Sequence, residues 1–317
     1  MKTNLMFFVF LLFASCSSLV VTEELEFTNM TPMNFERSGF GSTTDGKNIY
    51  AVAGEIGISP YISNSIEKYD ISENKWILLT EELTPRRYCN AEYVAALNKI
   101  YIFNGEYTDD RLSGLIKRVE IFDCTTKEIT FGPDVPLPVK NAGSDTWNNK
   151  IYFFGGQDSH GFSDRVFEFD PATGIWKRLP DMPRAKQTSG KIVNGVLYIF
   201  GGFDGNPEMI KNISAYNIKE SKWTKLGDLP IPISAHAAAS DGTRIWLVGC
   251  YKDLQFLASY DTKTNKLKMY NSNMVERRFA QSLVLGGKLY VFGGSQSKLS
   301  STILSNTQCA DVYLVKQ

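Results

Sequence analysis

The chain has 317 residues, with 34 basic and 34 acidic side chains and a net charge of zero. Hydrophobic residues at 43% and charged residues at 21% are ordinary globular proportions, so whole-chain disorder, collagen and coiled coil are excluded. Zero net charge gives no general attraction to nucleic acid, and two histidines exclude a histidine-rich metal centre.

Taken from the N-terminus, Lys2 leads into an apolar run from Leu5 to Ala14. Such a run is too short to span a bilayer as a permanent helix. A positive start, a short apolar run and the small residues Ala14, Ser15, Cys16, Ser17 and Ser18 describe a secretory signal over residues 1–18. The segment Phe13 to Cys16 resembles the lipobox of bacterial lipoproteins, which implies lipidation at Cys16. Cleavage near Ser18, releasing a soluble product, is the other reading. Both place the protein outside the cytoplasm, in the cell envelope or periplasm or secreted, with no membrane contact beyond an N-terminal lipid. Residues 21–317 are expected to form one domain.

From residue 27 onward one unit recurs. An aromatic residue followed by glycine or its replacement four positions later stands at Tyr50, Tyr101, Tyr152, Tyr198, Trp246 and Tyr290, as in KIYFFGG and KLYVFGG. Turn signals such as Asp45-Gly46, Asn194-Gly195 and Asp241-Gly242 precede it, and these favour tight hairpins because both central positions tolerate positive φ. A second mark follows: Tyr69-Asp70, Phe122-Asp123, Phe169-Asp170, Tyr216-Asn217 and Tyr260-Asp261. Seven residues beyond each of those aromatics stands Trp76, Ile129, Trp176, Trp223 or Leu267. Each unit therefore reads as four short antiparallel strands. One such sheet cannot bury both faces alone, but packed against its neighbours around an axis it can.

The double glycines, the Tyr-Asp pairs, the spaced tryptophans and the Leu-Pro-x-Met-Pro-Arg segment from Leu179 to Arg184 resemble kelch repeats, as in the central domain of galactose oxidase. The resemblance implies an all-β, six-bladed propeller. The sixth unit lacks a fourth strand, and Leu25 to Phe27 supply one, because Phe27 precedes Arg37 by the same interval as Trp76 precedes Arg86. The N-terminal strand is thus expected to close the last blade. Cys89, Cys124, Cys250 and Cys309 match no zinc spacing and are expected as unpaired, mostly buried thiols.

Calling the strands a to d outward from the axis, the loops entering a and leaving b converge on one mouth of the channel. That mouth is expected to gather Arg37, Arg87, Lys140, Arg184, Lys186, His236, Arg277 and Arg278, opposed by Glu55 and Glu106. Guanidinium groups suit carboxylates and phosphates because their planar fork binds both oxygens. Arg37, Glu55, Arg87, Arg111, Arg184, His236, Arg277 and Arg278 are therefore candidate ligand contacts. The function expected is a binding module, without cofactor or metal, monomeric, for a protein partner or an anionic glycan and not for nucleic acid. An alternative rests on Asn104-Gly105-Glu106 and Arg111, which resemble a segment of bacterial N-acetylneuraminate epimerases. That likeness implies Glu106 as the catalytic acid/base, with Arg111 or Arg37 holding the sugar carboxylate.

Overall fold

The computed structural model describes residues 23–57, 61–108, 113–208, 210–296 and 302–313. Cys16, Arg111 and the signal segment lie outside the described residues. All regular structure among the described residues is β.

Six four-stranded antiparallel units make the six blades. Blade 1 runs Gly41–Thr44, Asn48–Val52, Ile66–Asp70 and Lys75–Thr80, with the strands in sequential order outward. Blade 2 comprises Asn90–Val94, Lys99–Phe103, Glu120–Asp123 and Ile129–Phe131; blade 3 comprises Gly143–Trp147, Lys150–Phe154, Val166–Asp170 and Ile175–Leu179. Blade 4 has longer strands: Gln187–Val193, Val196–Phe203, Ile210–Asn217 and Lys222–Asp228. Blade 5 is Ala237–Ser240, Arg244–Val248, Leu257–Asp261 and Lys266–Ser272. Blade 6 takes Gln281–Leu285, Lys288–Phe292 and Thr307–Asp311 from the end of the chain and Thr28–Met30 from its start. Each a strand neighbours the a strands of the blades on both sides, so the ring is closed.

The core is distributed rather than central. Six apolar clusters occur, and each joins two consecutive blades. Strand b is buried on both faces, as in Ile49 to Val52, because it is sandwiched between neighbouring blades. The paired glycines that end strand b have a local cause. Its first position is left-handed in every blade: Ala53 at φ 57°, Asn104 at 60°, and Gly155, Gly201, Gly249 and Gly293. The second position lies near φ 95° at Gly105 and Gly156, and a Cβ there would sit 2.7 and 2.9 Å from the carbonyls of Arg87 and Lys140. Only glycine fits both demands. Cys250 stands at this second position in blade 5, and its N–H turns to the Asp253 carbonyl instead.

The closure follows the expectation in register and departs from it in one detail. Thr28 pairs with Cys309 and Met30 with Thr307. One further step sets Phe27 opposite Ala310, as Trp76 stands opposite Tyr69. Leu25, however, leaves blade 6: Glu23–Leu25 pairs in parallel with Lys266–Ser272 and adds a fifth strand to blade 5. The crossing is held by Asn273, whose Oδ1 accepts the Phe27 N–H at 2.7 Å while its Nδ2 donates to the Phe27 carbonyl. The four described cysteines are unpaired, and three of them are buried.

Candidate functional site

A cavity of about 570 Å3 occupies the channel. It is walled by the starts of all six a strands. Residues entering strand a and leaving strand b do meet at this mouth. Ser38 bridges Glu55, Arg87 bridges Glu106, Lys140 bridges Gln157 and Arg278 bridges Ser295. Just inside them Gly39, Tyr88, Asn141, Ala235 and Phe279 are all left-handed, with φ from 50 to 56°. They pass backbone hydrogen bonds around the rim: Phe279 donates to Ala235, Gly39 to Phe279, Tyr88 to Gly39 and Asn141 to Tyr88. Blade 4 interrupts the pattern, because its long strand a is extended from Gln187 onward. A left-handed backbone is unusual for bulky side chains. At Tyr88 and Phe279 it brings two rings together over the rim, with centroids 5.6 Å apart. Gly39 lies under the Tyr88 ring, where a Cβ would approach to 2.6 Å.

The expected basic mouth is largely neutralised, and the arginines divide into three groups. Arg37 and Arg277 are sealed inside their blades with no exposed surface, and Arg86 behaves alike. The Arg37 guanidinium binds the Glu67 carboxylate at 2.9 Å and both Ser63 and Ser65. Arg86 pairs with Glu120. Arg277 donates to Gln308, Asn306 and the Gly293 carbonyl; burial without a carboxylate pushes its pKa down to about 9. Arg37 and Arg277 are therefore blade-locking residues, and they do not reach the cavity as the sequence reading expected. Lys186 is also buried, donates to the Gly201 carbonyl at 2.6 Å, and is lowered to about 8 by burial.

The second group forms a belt of ion pairs over blades 1 to 4. Arg87 lies 3.5 Å from Glu55 and 3.0 Å from Glu106. The other Glu106 oxygen accepts from Lys140 at 2.6 Å. Gln187 donates to Gln157, and Arg184 pairs with Asp204. Neither Glu55, Arg87, Glu106 nor Arg184 is among the residues walling the cavity. Both Glu106 oxygens are held by cations on the rim.

The third group is what remains on the arc of blades 4 to 6. Arg278 lines the cavity and has no carboxylate partner among the described residues. Its carbon Cζ sits 4.6 Å from the Tyr251 ring centroid and 5.5 Å from that of Phe279, and its buried Nε has no hydrogen-bond partner. His236 lines the same cavity, is 7% exposed, and neither ring nitrogen has a partner. Burial, and then the Lys186 charge, push its pKa down to about 3, so the imidazole is neutral. Phe203 and Tyr251 complete this arc. Of the sequence-proposed ligand contacts among the described residues, His236 and Arg278 face the cavity.

Deeper in the channel the a strands carry a polar network that the sequence reading missed. Ser144 donates to Glu92 at 2.6 Å, Asn90 donates to Ser144, and Lys191 pairs with Asp145 at 3.1 Å. Burial raises the Glu92 carboxyl to about 7. The signal in the sequence was present: Glu92, Asp145 and Lys191 are charged residues inside otherwise small or apolar a strands. Polar groups there are affordable because those strands face the channel.

The KLHDC2/KLHL20/DRC7 Kelch-repeats domain model matches residues 39–250. Kelch-like protein terF of Aspergillus terreus is 24% identical over 286 residues, 83% of this chain and 62% of that protein. Kelch-like protein 25 of Xenopus tropicalis is 26% identical over 226 residues, 68% of this chain and 37% of that protein. The chain thus spans less than two thirds of the length of these relatives. The solved structure of YjhT superimposes with a TM-score of 0.74 at 14% identity, over 88% of this chain and 95% of that one. That likeness shows the fold.

Proposed function

We propose that this chain, which belongs to the kelch-repeat family, is a binding module that captures a carboxylate-bearing ligand at the arc of blades 4 to 6 in its channel mouth. The observation that carries this reading is Arg278. It is the arginine among the described residues that lines the cavity, its charge is not spent on a carboxylate among them, and aromatic rings hold it in place. A guanidinium so held loses little freedom when it grips an acid, and the low-dielectric wall strengthens the pair. Tyr88, Tyr251 and Phe279 offer flat surfaces beside the acid. An acidic peptide of a protein partner and an acidic sugar share this chemistry.

A binding role is also the better reading of the charge pattern. A sugar-acid epimerase needs a mobile proton beside its substrate. Glu106 is engaged by Arg87 and Lys140 away from the cavity, so nothing in its placement favours catalysis. Export of the protein is part of the same proposal and rests on residues 1–18.

The test is calorimetric binding of acidic and amidated versions of the same peptide, and of uronic acids beside neutral sugars. Arg278→Ala is expected to weaken the acidic ligand on the order of tenfold to a hundredfold, the loss of a hydrogen-bonded charge pair. Arg184→Ala, which alters a rim residue outside the cavity, is expected to change it by less than about threefold. Equal binding of acidic and amidated forms, or no effect of Arg278→Ala, overturns the reading.

A further inference from the structure

The wall of the channel is uneven. On blades 1 to 3, and at Gln281 of blade 6, polar side chains satisfy one another: Ser42 donates to Gln281, Gln281 to the Phe40 carbonyl, and Asn90 and Ser144 pass bonds on to Glu92. Around His236 on blade 5 the lining is small, with Ala235, Ala237 and Ala238, and it is joined by Ser189 and Gly190 and by the larger Gln187, Lys191 and Phe203 of blade 4. His236 stands in this wall, more than nine-tenths buried, with both ring nitrogens unpartnered. Ser282, from blade 6, presents a second unpartnered hydroxyl to the same cavity. Buried polar atoms are nearly always hydrogen-bonded, so an orphaned imidazole facing a cavity calls for a partner supplied from outside the chain.

The chemistry of that partner follows from the imidazole. Lys186 is anchored behind it on the Gly201 carbonyl, and burial together with that charge keeps the ring neutral. A neutral imidazole offers one N–H donor and one lone pair. An anion would use the donor and be repelled by the lone pair. A hydroxyl or an amide can accept from the N–H or donate to the lone pair, so it suits whichever ring nitrogen faces the cavity.

We infer that the cavity wall at His236 is a subsite in which the imidazole receives an uncharged hydroxyl or amide group of the ligand whose acid Arg278 holds. This rests on the carboxylate reading above. The ligand class is therefore an acid carrying a neutral hydrogen-bonding group, and His236 is a recognition residue rather than a proton shuttle. A ring that stays neutral down to acid pH cannot serve as a general acid near neutrality.

The test uses three homologous series of probes with graded chain length: plain carboxylic acids, ω-hydroxy acids and N-acetyl-ω-amino acids. Affinities are read by calorimetry, and the ring signals of His160 and His236 by NMR, with His236→Phe assigning the latter. At least one hydroxy or acetylamino acid is expected to bind about tenfold more tightly than the plain acid of equal length. His236 signals are expected to shift on saturation while those of His160 stay. His236→Phe is expected to erase the advantage and leave plain-acid binding intact. Equal affinity across the three series, or still His236 signals in the presence of a bound acid, overturns the subsite and leaves the carboxylate reading standing. Acid binding that survives Arg278→Ala overturns the carboxylate reading, and with it the subsite. No binding by any acid overturns both. Should His236→Phe fail to fold, the signals of the unaltered protein still decide.

Discussion

Arg37 and Arg278 show how much a side chain's role depends on what stands opposite it. Each follows the end of a blade and begins the next, and neither is distinguishable from its immediate neighbours in sequence. Arg278 stands one place later than Arg37 in the repeat, in register with Ser38 and Arg87, whereas the Arg37 place is matched by a position of strand c about thirty residues on. Where the residue before strand a is Arg37, Arg86 or Arg277, that position holds Glu67, Glu120 or Gln308. Where it is Val139 or Ile233, the same position holds Phe167 or Ala258, each set by its strand register. The chain thus contains both solutions to one packing problem, ionic and apolar. Removing one partner of a buried pair strands the other, at a cost of about 3–5 kcal/mol, whereas replacing both by apolar groups approaches neutrality. Arg37→Met is therefore expected to destabilise the protein by about that amount in urea denaturation. Adding Glu67→Leu is expected to recover most of the loss. Recovery has a limit, because Glu67 also accepts both the backbone and side-chain N–H groups of Asn34. A single Arg37→Met variant within experimental error of the parent would show that Arg37 is not the lock it is described as here.

At the scale of the strand, the tryptophan that opens strand d in blades 1, 3 and 4 stitches each of those blades to the one before. Trp76 donates to the Thr31 carbonyl and lies 3.2 Å from the Thr307 hydroxyl; Trp176 and Trp223 donate to the carbonyls of Pro133 and Pro180. Each also packs on the aromatic of its own strand c, as Trp76 does on Tyr69 at 5.1 Å. Trp76 is buried, whereas the Trp223 bond lies at the surface. Trp76→Phe leaves buried acceptors unmet and is expected to cost about 2 kcal/mol; Trp223→Phe is expected to cost about 0.5–1 kcal/mol. Thermal unfolding of the two variants checks the order, and a reversed ranking would contradict the stitching account. Strands of this kind were legible because strand d carries a tryptophan at fixed spacing and strand b an aromatic before glycine. Both are local marks with local causes, a turn geometry and a backbone approach. The mouth was legible to the same depth, since antiparallel pairing alone brings Arg87 to Glu106 and Arg278 to Ser295. What the mouth residues do there was not legible. Pairing between Glu55, Arg87, Glu106 and Lys140 crosses three blades, and no spacing in the chain encodes which cation meets which acid.

Six blades confer stability only if the ring is closed, because an open ring exposes the inter-blade faces of blades 6 and 1. That face holds Phe40, Trp76, Tyr290 and Phe292 in one cluster. Closure depends on few residues: three of the N-terminal strand pair with blade 6, and three more with blade 5. Leu25 and Phe27 between them are buried in the cluster that joins blades 5 and 6. The same segment therefore fastens two blades at once, and its register can be read out chemically. Thr28 stands directly opposite Cys309, a free, buried thiol. Paired residues on neighbouring antiparallel strands bring their Cα atoms within the span a disulfide bridges. Thr28→Cys is expected to cross-link to Cys309 under mild oxidation, giving a faster-migrating band on a non-reducing gel. Joining residues so distant in sequence removes much of the unfolded chain's freedom, so the oxidised form is expected to gain up to about 5 kcal/mol. At roughly 2–4 °C per kcal/mol this is a clear rise in the unfolding midpoint, reversed by reductant. A register shifted by one residue would turn the introduced thiol to the other face of the sheet and prevent the bond. Absence of the cross-link would thus locate the closure elsewhere, whereas its presence ties the N-terminal strand, and the side of the channel mouth built by blades 5 and 6, to one arrangement.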